Sequence, residues 1–62
     1  MEDNQYINMN PNILLSIVNM KLRDFYSNLS ILCDDLQIDE KMLKEKLNSI
    51  GYTYDENINQ FK

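Results

Sequence analysis

A dense apolar stretch over residues 11–25 most limits what this chain can fold into, because its side chains fall on two helical faces at once. Asn10 carries the side-chain oxygen of an N-cap, and Pro11 suits the first helical position, where a missing N–H costs nothing. From there Leu14, Val18, Leu22 and Phe25 recur at the spacing of one helical face, widened by Leu15 and Tyr26. Asn12, Ser16, Asn19 and Arg23 form a polar stripe, and between the two lies a second apolar strip, Ile13, Ile17 and Met20. One helix with two apolar faces has more to bury than one neighbour can cover.

The remaining chain supplies the neighbours. Ser27-Asn28 breaks the first helix and caps a second, expected over 29–36, with Leu29, Leu32, Cys33 and Leu36 on one face. Gln37-Ile38 makes a tight connection. Asp39 caps a third helix over about 40–50, with Glu40 well placed in its first turn and Leu43, Leu47 and Ile50 turned inward. Gly51 ends it, since a glycine just past a helix adopts positive φ at little cost. Beyond it, Tyr52-Thr53-Tyr54, Asp55-Glu56-Asn57 and Ile58-Asn59-Gln60-Phe61 read as a β-hairpin with Asn57 suited to the left-handed turn position. The register stays open, because two-residue and three-residue loops put Phe61 on opposite faces. The expected architecture is therefore mainly α: a three-helix, helix-turn-helix-like bundle closed by a wing-like C-terminal hairpin. Residues 1–10 form an N-terminal arm and 11–62 a single domain, with a core of Leu14, Val18, Leu22, Phe25, Leu32, Leu36, Leu43, Leu47 and Ile50.

Composition then removes most chemistries. The chain has 62 residues, no His, one Cys and one Gly. A His-dependent triad, a Cys/His zinc site and a phosphate-cradling Gly-rich loop are all out of reach. One cysteine makes no internal disulfide and fits a reducing interior. The acidic, polar opening Met1-Glu2-Asp3-Asn4-Gln5 is unlike a signal peptide, and no stretch approaches the roughly 20 apolar residues of a membrane span. These features point to the cytoplasm.

Residues 29–47 resemble a helix-turn-helix of the kind that opens a bacterial winged-helix domain. Cys33 stands at the small-residue position where the helices approach, Ile38 fills the apolar turn position, Asp39 the capping position, and Leu43 and Leu47 the inward positions of the second helix. Gln37 departs from the pattern, which usually has Gly in the turn. The resemblance implies nucleic-acid contact through the outward residues Lys41, Lys44 and Asn48. The charge argues against it: the net charge is −4, and Asp34 and Asp35 lie on the helix that would cross the phosphates.

A second set of strings covers nearly the whole chain: Leu14-Leu15-Ser16, Val18-Asn19-Met20-Lys21-Leu22-Arg23-Asp24, Tyr26-Ser27, Leu32-Cys33-Asp34-Asp35-Leu36, Gly51-Tyr52-Thr53-Tyr54-Asp55 and Asn59-Gln60-Phe61. Together they resemble a family of short bacterial proteins known only as a domain of unknown function. That resemblance implies a small bacterial cytoplasmic protein and carries no activity, cofactor or catalytic residue.

The residues that could suggest chemistry have plainer readings. Asp34 and Asp35, as helical neighbours, point about 100° apart and do not converge. Asp55-Glu56-Asn57-Ile58-Asn59 opens like a calcium loop, but Gln60 occupies the position of the required Gly. Cys33 lies on an apolar face beside two acids, which disfavours a thiolate. Tyr52, Tyr54 and Phe61 lack the interleaved cations of a single-strand binder. The expectation is a non-enzymatic module with no cofactor or metal. It binds itself or another protein through Ile13, Ile17 and Met20, extended by Tyr6, Ile7 and Met9. The alternative is a DNA-binding regulator of minimal winged-helix type.

Overall fold

The structure, a computed structural model, describes Tyr6 and residues 8–62. The expected arm over 1–10 thus falls largely outside the described residues. The chain folds into α1 (Pro11–Asp24), α2 (Leu29–Leu36), α3 (Glu40–Asn48) and a hairpin of β1 (Tyr54–Asp55) and β2 (Gln60–Phe61). It is mainly α with a small C-terminal hairpin. Each helix opens on the cap expected of it. Asn10 Oδ1 accepts the Asn12 N–H at 2.8 Å, Asn28 Oδ1 the Ile31 N–H at 2.9 Å, and Asp39 Oδ1 the Met42 N–H at 3.1 Å. Short-range chemistry alone satisfies these otherwise orphaned donors.

α2 and α3 also end alike. Past α2 the Ile38 N–H reaches back to the Cys33 carbonyl at 2.9 Å, and past α3 the Tyr52 N–H reaches the Leu47 carbonyl at 3.0 Å. Both closures need a left-handed residue between, Gly51 at φ +91° in one and Gln37 at φ +60° in the other. Glycine holds that conformation without strain, whereas a side chain there costs about 1–2 kcal/mol. Gln37 recovers part of this by donating Nε2–H to the Asp34 carbonyl at 3.1 Å. Gln37→Gly is therefore expected to raise stability by a few tenths to about 1 kcal/mol, read as a higher urea midpoint at unchanged slope.

The hairpin differs from both expected loops. Its turn is four residues long, pairing Tyr54 with Phe61 and Asp55 with Gln60. The left-handed residue is Asn59 at φ +54°, not Asn57. The reason lies outside the hairpin. Asn59 Nδ2 donates to the carbonyls of Leu22 and Tyr26, each at 2.9 Å, and so caps the C-terminal end of α1. Its Oδ1 accepts the Tyr54 hydroxyl at 2.6 Å, and that hydroxyl accepts the Leu29 N–H, the first of α2, at 3.2 Å. One turn ahead, Asn19 brackets Phe61: its Oδ1 accepts the Phe61 N–H at 2.8 Å and its Nδ2 donates to the Phe61 carbonyl at 3.1 Å. Gln60 Nε2 donates to the Asn19 carbonyl at 3.0 Å. Four neutral side chains thus clasp the hairpin to α1 and to the start of α2, and they fix a register the local sequence leaves open.

This clasp redraws the core. Leu14, Val18, Leu22, Leu32, Leu43 and Leu47 are buried as expected, and Leu29, Cys33, Ile38 and Phe61 join them. Leu36 and Ile50 only pack against this cluster, half-buried, as do Leu15, Tyr26 and Tyr54. Phe25 is the clear correction: it is 70% exposed. α1 stops at Asp24, so Phe25 leaves the helical path at φ −126° and its ring turns to solvent, with the Lys21 ammonium 5.7 Å from the centroid. Tyr26 packs inward in its place, its hydroxyl donating to Asp35 Oδ2 at 2.5 Å.

Candidate interaction surface

α1 buries one face under α2, α3 and β2 and leaves the opposite one open. On that open side Ile13 is 55% exposed and Met20 41% exposed, while Ile17 is half-buried. Helical geometry accounts for the difference. At 100° per residue Ile17 leans about 60° from Met20 toward Leu14, so its side chain reaches the rim of the core. Tyr6 and Met9 do not lengthen the strip as expected; they pack, partly buried, against the core, and Ile7 lies outside the described residues. Ser16 and Asn12 are exposed beside the strip.

Charge sets this surface apart. Residues 4–20 contain no Asp, Glu, Lys or Arg in a chain where 26% of residues are charged. Every other exposed helical surface described carries ions: Asp34 and Asp35 on α2, Lys41 and Glu45 on α3, Arg23 and Asp24 in the last turn of α1. The Ile13, Ile17 and Met20 strip lies within this charge-free run. Phe25, exposed at the end of the same helix, was the residue that sequence periodicity misplaced.

The alternative nucleic-acid residues are less well prepared. Lys44 pairs with Glu40 at 3.2 Å one turn away, and Asn48 Oδ1 accepts the Thr53 hydroxyl at 3.0 Å. Lys41 is exposed. Phosphate affinity rests on cations that shed counterions, and a lysine already paired with a glutamate contributes little to it. An open cleft of about 290 Å³ adjoins Glu40 and Lys44, lined also by Asn28, Leu29, Tyr54 and Glu56. Its mixed charge and wide mouth define no ligand. Among the described residues no group of three or more His, Cys, Asp or Glu could hold a metal ion.

Cys33 is buried and free of any disulfide. Burial first, then the Glu40 and Asp39 charges, push its thiol up to about 11 from an ordinary 9. The folded state therefore favours the protonated form more than the unfolded state does. The contribution is complete below about pH 9 and is lost as pH rises through about 11. The urea-midpoint gap between wild type and Cys33→Ala is expected to narrow across that window, and iodoacetamide at neutral pH is expected to leave the native thiol unlabelled.

Tyr52 is exposed, and the Tyr54 and Phe61 rings pack against each other, tilted at 55° with centroids 5.5 Å apart. These aromatics serve the hairpin and its seat on the bundle. No helix among the described residues is long and apolar enough to cross a membrane.

A family model described as Domain of unknown function (DUF4250) matches residues 8–61. The chain belongs to the DUF4250 family. The match starts just ahead of the Asn10 cap and runs through Phe61, so this DUF4250 chain includes all three helices and the whole clasp within the family's span. No curated protein and no solved structure matches the chain.

Proposed function

We propose that this DUF4250 chain is a non-enzymatic interaction module that docks a protein through the outward face of α1. The observation that carries the reading is that Ile13 and Met20 are exposed on a charge-free face, whereas the exposed Ile31 and Met42 share their helices with exposed charged residues. Centres of protein interfaces are depleted in charge, and contiguous exposed apolar side chains mark contact sites. Elsewhere the described residues offer little for turnover: the thiol is buried and protonated, and the acids are dispersed over the helices and the hairpin.

A photo-reactive amino acid at Ser16, between Ile13 and Met20, tests the reading in the native cell against the same probe at Ser30 on α2. Discrete cross-linked species from position 16 and none from position 30 are expected. Equal or no cross-linking from the two positions would overturn the docking role.

A further inference from the structure

We draw no further inference here: the strongest candidate, the charge-free surface patch of α1 around Ile13 and Met20, already carries the docking role proposed above, and nothing in the structure shows what covers it.

Discussion

Leu43→Ala is expected to lower the stability of the fold by about 2–5 kcal/mol. Leu43 is fully buried in the cluster where α3 meets α1 and α2. Truncation removes three heavy atoms from a site inside a cluster of buried apolar side chains. Part of the cost is lost transfer energy, and the rest is the cavity that these side chains only partly collapse to fill. The loss is severe for a chain of this length, whose total stability falls at about 3–9 kcal/mol on the usual per-residue scale. Urea unfolding followed by circular dichroism measures it. A loss below about 1 kcal/mol would mean that the site collapses freely and is not close-packed.

Asn59→Ala is expected to cost about 2–4 kcal/mol although it removes no apolar contact. The side chain caps the Leu22 and Tyr26 carbonyls and accepts the Tyr54 hydroxyl, so truncation strips both carbonyls of this donor and leaves the Tyr54 O–H, which still accepts the Leu29 N–H, without its acceptor. The remaining alanine must also hold φ +54°, which asparagine tolerates better than other side chains. Asn59→Gly separates the two effects, since glycine relieves the backbone and still lacks the amide. If the amide bonds dominate, the glycine variant recovers only a minor part of the loss. A glycine variant as stable as wild type would assign the whole cost to the backbone.

What the sequence made legible follows from the range over which each interaction acts. Asn10, Asn28 and Asp39 were readable as caps because each bonds within three residues of itself. Gly51 was readable as a terminator for the same reason, and Gln37 as the residue standing where a turn usually has Gly. Phe25 was misread because periodicity extends a helix until something stops it. Here the Asn59 amide, from the far end of the chain, takes the carbonyls at the end of α1. The hairpin register was illegible on the same ground, since a four-residue turn wins only when Asn59 and Gln60 are set against α1. Asn19 was read as one member of a polar stripe, and nothing within its own helix shows that it would bracket Phe61. The exposed strip was legible from geometry alone, with the exception of Ile17, whose lean toward Leu14 half-buries it.

The clasp also bears on how quickly the chain can reach this fold. The bonds that bind Asn19, Leu22 and Tyr26 to the hairpin span sequence separations of 33 to 42 residues. Closing loops of that length consumes chain entropy before any of the bonds is made. The helices can flicker into being on their own in microseconds or less, but the end of α1 acquires its cap only once the distant hairpin has arrived. For a small helical protein this raises the contact order and places the rate-limiting event in the docking of the hairpin. A fragment lacking the hairpin would then keep fluctuating helices without a cooperative transition, and the final strand acts as the closure that makes folding all-or-none.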